Sequence, residues 1–125
     1  MTVVVDSSAL MALVLGEPGA DEVAEVLPDA LVSTVIYVEC LSKLAGRGRD
    51  VDLISAQFQA SGLQVIDVGL ENAARVVSLH ALARQNVSLA DRFCLALALD
   101  RDLPVVTADR PWAKLGLPLE LRFIR

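Results

Sequence analysis

Four acidic residues stand at the edges of otherwise apolar stretches. Asp6 closes Val3-Val4-Val5, Glu39 follows Val38, Asp91 ends Ser88-Leu89-Ala90-Asp91, and Asp109 follows Val105-Val106-Thr107-Ala108. A carboxylate at the exit of a buried strand points to the end of a sheet where α/β proteins build their sites. Two unit charges ~4 Å apart repel by ~4 kcal/mol at an effective dielectric of ~20, so four converging carboxylates must take up protons or a divalent cation. Mg²⁺ or Mn²⁺ suits such a site, because both take oxygen ligands and leave room for waters and a phosphate oxygen. The chemistry that follows is activation of a water for in-line attack and stabilisation of the leaving oxygen. No His or Cys pair has zinc spacing, and the single His80 lies within a helical pattern, where it reads as structural.

Each acid also has a plainer explanation. Asp6 stands where an N-cap belongs, although Ser7 and Ser8 are both available for that duty. Ser88-x-x-Asp91 matches a capping box. Yet Phe93 to Leu99 is apolar all round, so only the first turn of that helix can offer polar groups. Glu39 falls with Ser42 and Lys43 on the polar arc opposite Ile36, Cys40, Leu41 and Leu44, the place of a solvated glutamate. Asp109 before Arg110-Pro111 is a turn aspartate. Taken singly the acids do not make a site; the elements must bring them together.

Those elements alternate. A short strand is expected over Thr2 to Val5, then a helix to about Leu15 broken by Gly16-Glu17-Pro18-Gly19. A second helix covers about Ala20 to Leu27 and ends at Pro28, and Leu31-Val32 resembles a small strand. Ser33 or Thr34 caps a helix to about Ala45, ended by Gly46-Arg47-Gly48-Arg49, and another helix covers about Val51 to Ala60. Leu63 to Val68 alternates as a strand, helices follow over about Leu70 to Arg84 and Ser88 to Leu99, and strands over Pro104 to Thr107 and Leu119 to Ile124. Strands alternating with helices of this length predict a three-layer α/β/α sandwich around a mostly parallel sheet, a single domain over residues 1–125.

Apolar residues make up 54% of the chain and aromatics 4%, so the core is mainly Val, Leu and Ala. That excess suggests apolar surface beyond one core, hence a partner or a dimer. A net charge of −5 argues against indiscriminate nucleic-acid binding but leaves room for a local basic groove. Cys40 and Cys94 read as buried free thiols of a reducing compartment. No secretory signal or membrane-span-length apolar run is visible, and a soluble, cytoplasmic protein is expected.

The segments Met1-Thr-Val-Val-Val-Asp-Ser-Ser-Ala-Leu, Val38-Glu39, Ser88-Leu-Ala-Asp91 and Leu103-Pro-Val-Val-Thr-Ala-Asp109 together resemble the PIN-domain ribonucleases, more narrowly the VapC-type toxins of toxin–antitoxin pairs. The likeness runs through the whole chain in order and includes Gly16-Glu17-Pro18-Gly19. It implies that Asp6, Glu39, Asp91 and Asp109 are the metal-binding acids and that the Ser8 and Thr107 hydroxyls support them. It further implies a Mg²⁺- or Mn²⁺-dependent endoribonuclease, a homodimer, neutralised by a small VapB-like antitoxin whose tail enters the active-site groove. One departure is Trp112, where many relatives have Phe; it can pack, or stack on an RNA base. Arg92, Arg110, Lys43, Arg47 and Arg49 lie near the acids and are candidate RNA contacts, whose binding would weaken with salt.

Two rivals share the fold class. A receiver-like phospho-acceptor domain would use Asp67 and Thr107, but the first strand ends Asp6-Ser7 rather than in an acidic pair, and Glu39 and Asp91 would be idle. A catalytically silent PIN-like binding module would not need all four acids. An Asp-x-Asp phosphatase is excluded by Ser8.

Overall fold

The computed structural model describes residues 1–125, and the apolar runs form five short strands: β1 (Val3–Val5), β2 (Ala30–Ser33), β3 (Gln64–Ile66), β4 (Val105–Thr107) and β5 (Leu121–Phe123). They make one sheet in the order β3-β2-β1-β4-β5, and every pairing is parallel. Parallel neighbours need long crossovers. These are supplied by α1 (Ser7–Leu15), α2 (Ala20–Val26), α3 (Thr34–Gly46), α4 (Val51–Ala60), α5 (Leu70–Ser78) and α6 (Leu89–Arg101). Helix α6 packs on β1 and β2, α1 on β4, and α3 on β2 and β3. The expected α/β sandwich is thus present, with a sheet that is wholly parallel.

Burial explains the strand composition. Val3, Val4, Val5, Val32 and Val105 are completely buried, as covered parallel strands require. Val4 sits beside Leu31 on one side and Val105 on the other, so β1 is the centre of the sheet. The edge strands β3 and β5 are shorter than the sequence patterns at Leu63–Val68 and Leu119–Ile124, each pairing over only three positions with its single neighbour.

The helix expected over Leu70 to Arg84 divides. Helix α5 stops at Ser78, and a 3-10 helix covers His80–Gln85, closed by Asn86 at φ 62°. Val76, Leu79 and Leu82 are buried at intervals of three, the repeat that suits three residues per turn better than 3.6. Two further 3-10 turns, Leu27–Asp29 and Arg110–Lys114, each begin around a proline. Asp6, rather than Ser7 or Ser8, caps α1: its side chain accepts the Ala9 N–H, and Ser7 lies inside the helix with its hydroxyl buried and unpartnered. Ser33 caps α3 as expected.

Not all apolar residues are inside. Val38, Leu53, Leu70, Val77 and Leu89 are exposed, the surplus foreseen from composition. No helix is long and apolar enough to cross a membrane.

The Gly16–Gly19 turn joins α1 to α2 and carries two left-handed residues, at φ 66° and 98°. A Cβ on Gly19 would lie 2.7 Å from the Cβ and carbonyl oxygen of Ile124, whereas one on Gly16 would meet nothing within 4 Å. Gly16→Ala should therefore cost only the backbone penalty, ~1–2 kcal/mol, and Gly19→Ala clearly more. Urea denaturation measures both; equal losses would contradict the close approach of Ile124.

Candidate metal centre at the switch point of the sheet

In the order β3-β2-β1-β4-β5 the chain leaves β1 towards β2 on one side and returns through β4 on the other. Open α/β sheets form a crevice outside the strand ends at such a reversal. Asp6 and Thr107 sit there side by side. The Asp6 carboxylate accepts three donors: the Ala9 N–H at 2.9 Å, the Ser8 hydroxyl at 2.7 Å and the Thr107 hydroxyl at 2.7 Å. Both hydroxyls are relays. Ser8 Oγ accepts the Ala108 N–H at 2.9 Å, and Thr107 Oγ1 accepts the Asp109 N–H at 3.0 Å. The network joins the first turn of α1 to the segment carrying Asp109.

Asp6 is 2% exposed. Burial pushes its carboxyl up from 3.8 to about 6, against the three hydrogen bonds that favour the charged form, and the charge of Asp91 adds to the rise. Asp109 is raised too, by burial and then by Asp91. Asp91 therefore acts on both of its neighbours. Glu39 belongs to the same neighbourhood: the thiol of Cys94, pushed well up by burial, is raised further by Asp6, Asp91 and Glu39 together. Cys40 is pushed up to about 12 by burial, with Lys43 opposing and Glu39 and Asp6 adding. Both cysteines are buried and free, as expected.

Two of the four side chains are nevertheless occupied elsewhere. No three His, Cys, Asp or Glu residues stand close enough to hold a metal ion together as they are. Asp91 forms the expected capping box, exchanging bonds with Ser88 at 3.1 Å each way. Glu39 faces Lys43 at 3.6 Å and is 27% exposed. Among the candidate cations, Arg92 donates through Nε to the Ser88 carbonyl at 3.2 Å. Arg110 donates through Nε to the Arg125 carbonyl at 2.7 Å and lies over the Phe123 ring. Arg47 follows the end of α3 and is exposed. Trp112 is 2% exposed, which fits packing rather than base stacking, and its Nε1 has no partner.

In chemical type the acids fit a hard cation: all are oxygen donors, the charge of Asp91 bears on both Asp6 and Asp109, and Asp6 is buried with its charge only partly compensated. What the sequence did not disclose are the backbone N–H groups of Ala9, Ala108 and Asp109. Main-chain donors carry no residue signature; only the strand-end position of Thr107 and the Asp-Ser-Ser opening hinted at them.

A family model for the PIN domain matches residues 3–117. The fold is similar to that of DNA-bound VapBC from Salmonella typhimurium, with 18% identity over 100% of this chain and 99% of the other and a TM-score of 0.72. It is also similar to VapBC-1 from nontypeable Haemophilus influenzae, with 15% identity, 99% and 98% coverage and a TM-score of 0.72. A toxin–antitoxin complex from Klebsiella pneumoniae gives 20% identity, 94% and 98% coverage and a TM-score of 0.70. No curated protein matches the sequence at a significant level. The order of the strands also removes the receiver-like rival, since such domains wind their sheet 2-1-3-4-5.

The raised Asp6 carboxyl has a definite sign. Its charged form is disfavoured by folding, so the Asp6 contribution to metal-free stability is fully present below 3.8 and is lost as pH rises through about 6. The shift corresponds to ~3 kcal/mol. Asp109 acts in the same sense. Asp100 opposes it in acid: burial raises its carboxyl, but hydrogen bonds from Arg75 and Asn72 hold it below the usual range. Asp6→Asn should flatten the fall between pH 4 and 6.5 and leave the metal-free protein at least as stable as wild type at neutral pH. Chemical denaturation in chelator across that range checks this.

Proposed function

The chain belongs to the PIN domain family, and from that premise we propose that it is a Mg²⁺- or Mn²⁺-dependent endoribonuclease toxin of the VapC type. Residues 1–125 act as one PIN-like domain in this reading. The observation that carries it is the buried Asp6 carboxylate at the switch point, with Asp91 pressing its charge on both Asp6 and Asp109. Such crowding of acids is stable when a divalent cation is shared among them.

Asp6, Asp91, Asp109 and Glu39 would hold the ion. Bound there, Mg²⁺ or Mn²⁺ supplies a polarised water and a counter-charge for the phosphodiester oxygens. The chain's own contribution is positioning. Ala9, Ser8 and Thr107 fix Asp6, Thr107 fixes the Asp109 backbone, and the first turn of α6 presents Asp91. Recruiting Asp91 and Glu39 asks them to loosen their bonds to Ser88 and Lys43. The cost is small, ~1 kcal/mol for a cap and less for an exposed ion pair, against the repulsion relieved.

RNA would approach along Lys43, Arg47 and Arg92. A small antitoxin partner is supported by the similar toxin–antitoxin complexes and by a groove of about 360 Å³ lined by Leu13, Val14, Leu27, Leu53, Ile54 and Phe58. A homodimer is supported by the exposed Val38, Leu70, Val77 and Leu89. The work is done in the cytoplasm.

The test is cleavage of RNA by purified protein in Mg²⁺ or Mn²⁺, with chelator as control. Asp6→Asn and Asp91→Asn, each verified as folded, should lose ~10²–10³-fold or more of the rate. Mn²⁺ should raise the melting temperature of wild type and not of Asp6→Asn. Wild-type rates in either variant would overturn the assignment of these acids as the catalytic centre, and a wild type that cut no RNA would leave a silent module of the same fold.

A further inference from the structure

Arg110 is the charged residue nearest Asp109 in sequence, and its exposure invites a role in gripping RNA. Its side chain is turned the other way. The register sets Thr107 beside Phe123, and Ile124 donates its N–H to the Thr107 carbonyl at 3.0 Å. Just past that point the chain leaves β4, and the Arg110 guanidinium folds back over β5. Its carbon lies 5.3 Å from the centroid of the Phe123 ring, and its Nε donates to the Arg125 carbonyl at 2.7 Å. That acceptor is itself held: Arg125 donates to the Pro18 carbonyl at 2.9 Å and pairs with Glu17 at 3.6 Å.

Asp109 is thus pinned on both sides. Before it, Thr107 Oγ1 accepts its N–H at 3.0 Å; after it, its carbonyl accepts the N–H of the buried Trp112 at 3.0 Å, and Arg110 is clamped to β5. Its own carboxylate makes no hydrogen bond or ion pair, so its position is set by these contacts of the chain around it.

We propose that Arg110 is a positioning residue, which holds Asp109 over the metal-binding acids by stacking on Phe123 and bonding the Arg125 carbonyl, and not an RNA contact. The proposal rests on the acids binding a divalent cation. A guanidinium suits the task because it combines a planar face for the ring with a directed Nε–H; a lysine has neither.

Two readouts separate positioning from RNA contact. The first is Mn²⁺ affinity of the full chain without RNA, from the decrease of the free-ion paramagnetic resonance signal. Arg110→Ala, Arg110→Lys and Phe123→Leu should each weaken it roughly 10-fold, the usual effect of losing a group that orients a ligand, and Phe123→Tyr should retain wild-type affinity. The second is the salt dependence of binding to a single-stranded RNA oligonucleotide in chelator, whose log–log slope should be unchanged by Arg110→Ala. A slope reduced by about 0.7, the change expected when one phosphate is no longer neutralised, would overturn the proposal. So would undiminished Mn²⁺ affinity in Arg110→Ala and Phe123→Leu where Asp6→Asn abolishes it. If wild type itself bound no Mn²⁺, the metal reading would fall, and the clamp with it.

Discussion

The carboxylate of Asp6, buried where β1 and β4 leave the sheet, is the constraint around which the rest is arranged. Removing an ion from water costs several kcal/mol, and hydrogen bonds to a charged acceptor return ~1.5–3 kcal/mol each. Three donors therefore offset much of the cost but not all of it, which is why the group titrates near 6 rather than below 4. The same three bonds have architectural consequences. They start α1, tie its first turn to the end of β4, and through the Ser8 and Thr107 hydroxyls fix the backbone that presents Asp109.

At two of the acids a structural duty coincides with the proposed functional one. Asp6 is a helix cap and Asp91 half of a capping box, yet both lie at the carboxyl edge of the sheet. In a parallel α/β fold this is no accident. Strands β1 and β2 deliver the chain directly to the N-termini of α1 and α3 at that edge, where free N–H groups favour negative charge. Acids that cap are therefore compatible with the cation site proposed above.

Much of the fold was legible because the central strands are covered on both faces and so read as unbroken Val and Leu runs. The acids at their ends were legible for the same reason, as polar interruptions of an apolar pattern. Less visible was whatever depends on local backbone detail. The split of the 70–84 helix is one such detail: burial of Val76, Leu79 and Leu82 at intervals of three identifies the 3-10 segment only once the fold shows which residues are inside. Asp6 as the cap of α1 was hidden by two adjacent serines. Glu39 reads as a surface residue and does pair with Lys43; its nearness to the other acids comes from α3 packing against both α1 and α6, a tertiary fact. The donors from Ala9, Ala108 and Asp109 are main-chain groups, invisible to any reading of side chains.

The central claim is that the acids share one cation at the switch point, and crystallography in Mn²⁺ addresses it most directly. An anomalous difference map from crystals grown with MnCl₂ should show a peak between the carboxylates of Asp6, Asp91 and Asp109, with metal–oxygen distances of ~2.0–2.3 Å and Asp91 turned from Ser88. A map with no peak there at saturating Mn²⁺, and with the Ser88–Asp91 capping box intact, would contradict the account.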